Sequence, residues 1–183
     1  MDKGLNMDYE RSEGGILMPK DALKLGGRFT VEHMRAGKLI DKFEFPNLVV
    51  NEGLDHVLNT VFHGGTQVGT WFIGLFEGNY TPIATVTAAT ISSASTETTA
   101  YVESQRQEYI EAASSAQSIT NSASKATFTM NATKTIYGAF LISNATKSAT
   151  SGVLFSAARF ATPKAVATDD QLLVSYTFNA SSV

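Results

Sequence analysis

The chain has no cysteine, which excludes disulfides and thiolate metal sites. Charge is also scarce. Only 17% of the 183 residues are Asp, Glu, Lys or Arg, and 14 basic side chains stand against 17 acidic ones for a net charge of −3. Without a basic excess there is no field to hold a phosphate backbone, so no nucleic-acid partner is expected. No apolar run approaches the roughly 18 residues of a membrane-spanning helix. The polar, mixed-charge opening MDKGLNMDYERSEGG does not read as a secretory signal peptide, so neither export nor a membrane partner is expected. The sequons at Asn79, Asn131, Asn144 and Asn179 are then chance products of a Ser- and Thr-rich chain.

Catalytic motifs are missing too. There is no Walker loop, dinucleotide fingerprint or nucleophile elbow. Of the three histidines, His33, His56 and His63, the last two lie seven apart on one helix, and a metal would need a third ligand from elsewhere. His63 suits the last helical turn, where a partial positive charge complements the helix dipole. Asp169-Asp170 lacks the alternating acidic positions, glycine and terminal Glu of a calcium loop, and reads as a tight turn before Leu172. Glu108 and Glu111 read as surface charge rather than an acid/base pair. The expectation is no enzyme, no catalytic residue, no metal and no cofactor.

What is present is regular apolar patterning, in 43% of the residues, on a chain long enough for one domain with a sizeable core. Leu54, Val57, Leu58, Val61 and Phe62 recur at helical spacing and predict one α-helix over about 51–63, with the stripe assigned to the core. Asn51 stands where a side-chain N-cap belongs, and Gly64-Gly65 where a left-handed C-cap belongs. Trp71, Ile73 and Leu75 then alternate with Phe72 and Phe76. A strand apolar on both faces belongs inside a packed structure, and Gly74 within it implies a bulge or a close backbone approach. The glycines read as caps and close contacts, and Trp71, Phe72 and Phe76 as packing rather than a sugar platform. Tyr80, Tyr101 and Tyr109 are the better surface aromatics.

Period-two patterning begins at Arg28. Phe29, Val31 and His33 alternate with Thr30, Glu32 and Met34; Ala36-Gly37 turns the chain, and Phe43 and Phe45 share a face on the returning strand, which Pro46 ends. Residues 81–100 read as a long surface excursion with at most edge strands. Residues 101–113 read as extended, with a short irregular helix as the alternative. Further strands are expected at 125–130, at 135–143 with Ile136, Phe140 and Ile142 in phase, at 153–160 and at 172–178. The expected fold is mainly β, a β-sandwich or jelly-roll with one helix at its side or end. Residues 28–183 form that single domain. Residues 1–27 stand apart, as a disordered leader or as an extended N-terminal arm; the arm would bury Ile16, Leu17, Met18, Leu23 and Leu25 on a neighbouring subunit.

Several runs carry a family likeness: NLVVNEGL at 47–54, WFIGLFEG at 71–78 with TP at 81–82, ATFTMN at 126–131, YGAFL at 137–141, GVLFSAARF at 152–160 and DDQLLVSYT at 169–177. Together they resemble small virion structural proteins of tailed bacteriophages, over about residues 28–180. Where such proteins typically carry an acidic residue after the TP turn, this chain has Val86. The resemblance implies a capsid decoration or cement protein, assembled into the virion in the host cytoplasm. It would act as a homo-oligomer that bridges major capsid subunits, its partners being the major capsid protein and copies of itself. A tail or fibre-attachment protein, with tail proteins as partners, is the alternative. A carbohydrate-binding module and a depolymerase are further classes.

Overall fold

The computed structural model describes residues 23–182 in full, together with the backbone of two short strands, β1 (Tyr9–Arg11) and β2 (Leu17–Pro19), which pair with each other. Ten further strands follow: β3 (Leu23–Arg35), β4 (Lys38–Pro46), β5 (Leu48–Val49), β6 (Phe72–Phe76), β7 (Gln107–Glu108), β8 (Ser118–Thr120), β9 (Ala126–Thr129), β10 (Lys134–Ile142), β11 (Leu154–Val166) and β12 (Gln171–Ser182). Helix α1 (Asn51–Phe62) precedes β6, and α2 (Ala88–Ala94) follows it. The protein is mainly β, and β3 to β12 form two antiparallel sheets facing each other as a β-sandwich. One sheet has the order β5-β11-β10-β6-β7; the other runs β4-β3-β12-β8, with β9 also on β12.

The β3–β4 hairpin follows its alternation. Phe29, Val31 and His33 are buried while Thr30, Glu32 and Met34 are half-buried. At its turn Ala36 (φ 49°) and Gly37 (φ 73°) are both left-handed, which matches the twist of a two-residue hairpin. Strand β3 begins at Leu23, so Leu23–Gly27, which composition groups with the arm, are paired residue by residue with Phe178–Ser182.

Two cores explain why β6 is apolar on both faces. Ile73 and Leu75 enter the core between the sheets, with Phe29, Val31, Phe128, Leu172 and Val174. Phe76 enters a second core on the outer face of its sheet, with Val86, Ile91, Phe140, Ile142 and Leu154. Gly74 is a close approach, as expected: a Cβ there would lie 2.2 Å from the Phe140 ring.

Three expectations are corrected. Residues 81–100 are not a bare surface excursion. They contain a second helix, α2, closed at its start by a Thr87/Thr90 capping box, and Val86 and Ile91 are buried in the outer core while Ile83 stays exposed. A Ser/Thr/Ala-rich segment needs only those two anchors, because its polar groups bond to its own backbone. Ile136 is out of phase with Phe140 and Ile142. A register shift between Ile136 and Gly138 turns Ile136 into the inter-sheet core while the other two face outward. The third concerns α1 and sets the site.

Candidate functional site

Helix α1 is anchored at its start. Val50 N–H donates to the Phe155 carbonyl, and Asn51 N–H to that of Ala84. Asn51 is the first helical residue rather than the cap; the N-cap is Val50, without a side-chain hydrogen bond. Glu52 does the clamping: its carboxylate accepts at 2.8 Å from both Ala88 N–H and Leu154 N–H, tying α1 to α2 and β11. At the far end His63 is the C-cap, Gly64 is left-handed (φ 69°), and Gly65 N–H returns to the Asn59 carbonyl.

The side that packs is the one carrying Gly53. A Cβ at Gly53 would lie 2.4 Å from the Phe155 carbonyl oxygen, so the helix axis sits closer to β11 than any larger residue allows. Gly53 is the one buried residue of the helix, and the apolar stripe lies about a quarter turn round. The stripe is therefore not core. Leu54 is 37% exposed, Leu58 56%, Val61 64% and Phe62 80%, and only Val57 packs against the main core. Periodicity identifies the helix but not which side faces inward. Gly53 carried that signal, since a glycine inside a helix is unfavourable by about 1 kcal/mol unless close packing requires it.

Beside the stripe lies an apolar groove of about 520 Å³ at one end of the sandwich, lined by Val57 and Val61 from the helix and by Trp71, Tyr109, Phe155 and Phe178. Phe155 meets Trp71 and Phe178 edge-on, with ring centroids 5.5 and 5.0 Å away. His56 meets Trp71 edge-on and lies 3.5 Å from the Thr60 hydroxyl. Stripe and groove share Val57 and Val61 and form one apolar surface, of the kind that marks a site of association.

The aromatics expected at the surface are elsewhere. Tyr101 and Tyr109 are 1% and 4% exposed, and Tyr80 packs against the outer core. Burial raises the Tyr101 and Tyr109 hydroxyl pKa values well above the ordinary tyrosine value. A wet tyrosine platform for sugars is thus absent at these positions. Of the arm residues named as partner-binding, Leu23 is 67% exposed and Leu25 half-buried. Ile16 lies outside the described residues, as do the side chains of Leu17 and Met18.

Two polar networks escaped the sequence reading. Arg106, fully buried, forms a two-pronged pair with Glu97 at 2.8 and 2.7 Å, donates to the Asn144 carbonyl, and faces the Phe140 ring. Glu97 also accepts from Ser92 Oγ and Ser148 N–H. This pins α2, the α2–β7 connection and the β10–β11 loop to one another and leaves neither charged group free for chemistry. Asp170 accepts from Arg35 twice at 2.7 Å and from Ala167 N–H, and lies 2.8 Å from His33 Nε2. The Arg35 guanidinium holds its carboxyl well below the usual range, although burial opposes this. Glu97 and Arg106 are nine residues apart with no regular element to bring them together, and the Asp170 side-chain partners His33 and Arg35 lie more than 130 residues away.

Among the described residues no group of three or more His, Asp or Glu could hold a metal ion. No described helix is long and apolar enough to cross a membrane. No family model matches the chain, and no curated protein matches it in sequence.

Proposed function

We propose that this chain is a structural protein of a bacteriophage particle, a decoration or cement protein that binds the outside of the capsid and bridges major capsid subunits. The observation that carries the reading is the uncovered α1 face, Leu54, Leu58, Val61 and Phe62, held rigidly on a β-sandwich. A helix clamped at its start and turned apolar side outward is built to be covered by another surface. The resemblance of residues 28–180 to small phage virion proteins supplies the kind of surface, the shell. Repetition over many symmetry-related positions makes even a modest contact effective against internal pressure. Residues that could instead support catalysis, Glu97, Arg106 and Asp170, are all engaged in holding loops together.

The test is copy number and place in purified particles, by quantitative mass spectrometry and electron cryomicroscopy. Shell decoration implies on the order of hundreds of copies. A few to a few tens at the tail would replace this reading with tail or fibre attachment, and absence from the particle would remove both.

A further inference from the structure

We propose, on the reading that α1 meets the shell, that the surface it covers there is apolar at its centre and rimmed by lysine or arginine, one cation against Asp55 and one against Glu111. Charge in this chain is segregated. Between Lys42 and Arg106 there is no lysine or arginine, and that stretch supplies α1, β6, α2 and the loops between them. Arg106 itself is fully buried against Glu97. The two clefts that adjoin α1 reflect this. Glu52, Asp55 and Glu111 are among their walls, and among the described residues neither cleft is lined by a lysine or arginine.

Several carboxylates elsewhere are matched within the chain. Glu32 meets Lys42 and Lys125, Asp41 meets Lys164, Glu44 meets Arg28, Glu77 meets Lys134 and Asp170 meets Arg35. Asp55 and Glu111 are exposed and have no such partner among the described residues. Glu103, Glu108 and Asp169 also lack one but line neither cleft. Glu52 is turned inward onto two backbone N–H groups, so Asp55 and Glu111 are the acids left to meet a partner. Asp55 precedes Phe62 by seven residues, two helical turns, and so borders the stripe on the Phe62 side. On the other side, where Val57 and Val61 wall the groove, stands Glu111. The apolar face therefore has a carboxylate on each flank. A surface that covers it must match those charges or strip water from them unpaired, which is costly. Apolar side chains suit the groove, and basic ones suit its rim.

Charges at a contact rim act chiefly on association rate and salt dependence, so those are the readouts. Shells lacking this protein are mixed with labelled full-length chain at about 50 and about 500 mM NaCl. Wild type is expected to associate about tenfold more slowly at the higher salt. Asp55→Asn with Glu111→Gln slows association about threefold or more at low salt. Asp55→Lys with Glu111→Lys slows it about tenfold or more and reverses the salt trend, because like charges then meet across the rim. Thr133→Lys with Thr168→Lys changes net charge as much as the Asn/Gln pair does. Those two positions are on exposed connections at the other end of the sandwich, where Gln171 stands opposite Met34. That control is expected to keep the wild-type rate within about twofold. Thermal unfolding confirms that every variant is folded, as expected for exposed positions. Association that ignores both salt and the Asp55 and Glu111 charges overturns the basic rim and leaves attachment through α1 standing. So does a control slowed as much as the Asn/Gln pair, which makes net charge rather than place the cause. No binding of wild type to shells overturns both.

Discussion

Glycines show how tightly single residues are specified here. A Cβ at Gly138 would lie 2.1 Å from the Phe76 ring and 2.2 Å from the Ala158 carbonyl, whereas at Gly26 it would meet nothing within 4 Å. Gly138→Ala is expected to destabilise by about 3 kcal/mol and Gly26→Ala to stay within about 0.5 kcal/mol, read from urea midpoints. Asp170 gives a pH dependence whose sign is set by its lowered pKa. Its stabilisation is complete above the unfolded carboxylate value of about 4 and is lost as pH falls from there toward the folded value. Acid titration of stability should therefore steepen below about pH 4, and Asp170→Asn should flatten that limb and cost about 3 kcal/mol at neutral pH. Pairings of this kind were invisible in the sequence. Asp169-Asp170 was legible as a turn, and Asp169 is indeed left-handed (φ 68°), but its neighbour's partners come from the other end of the chain.

The two helices behave in opposite ways. Helix α2 is short and built mostly of small residues yet buries Ile91 completely; α1 is longer and amphipathic yet turns most of its stripe to solvent. Ile91→Ala is accordingly expected to lose about 3 kcal/mol of stability. Leu58→Asp with Phe62→Asp should change stability by no more than about 0.5 kcal/mol in thermal or urea unfolding, because both side chains are exposed. Strand patterns were legible where one face kept to the inter-sheet core along the whole strand, as in Phe29/Val31/His33. They failed at Ile136, where a register shift resets the phase without a sequence marker. The orientation of α1 failed for a different reason: hydrophobic periodicity reports amphipathicity, and amphipathicity serves a partner as well as a core.

For the whole molecule, the β-sandwich leaves the apolar face of α1 and the groove beside it exposed. Three of its charged groups hold segments together: Arg106 and Glu97 over the outer core, Glu52 at the meeting of α1, α2 and β11. The fold class was readable from strand spacing and turn residues. The exposed apolar face of α1 was not, because its residues were the ones most easily assigned to the interior. Shell particles lacking this protein, titrated with labelled wild type and with the Leu58→Asp/Phe62→Asp variant, test the central claim most directly. The account predicts saturable binding by wild type and at least a tenfold weaker binding by the variant at unchanged stability, as expected when a few apolar anchors dominate a contact. Equal binding by the two proteins would contradict it.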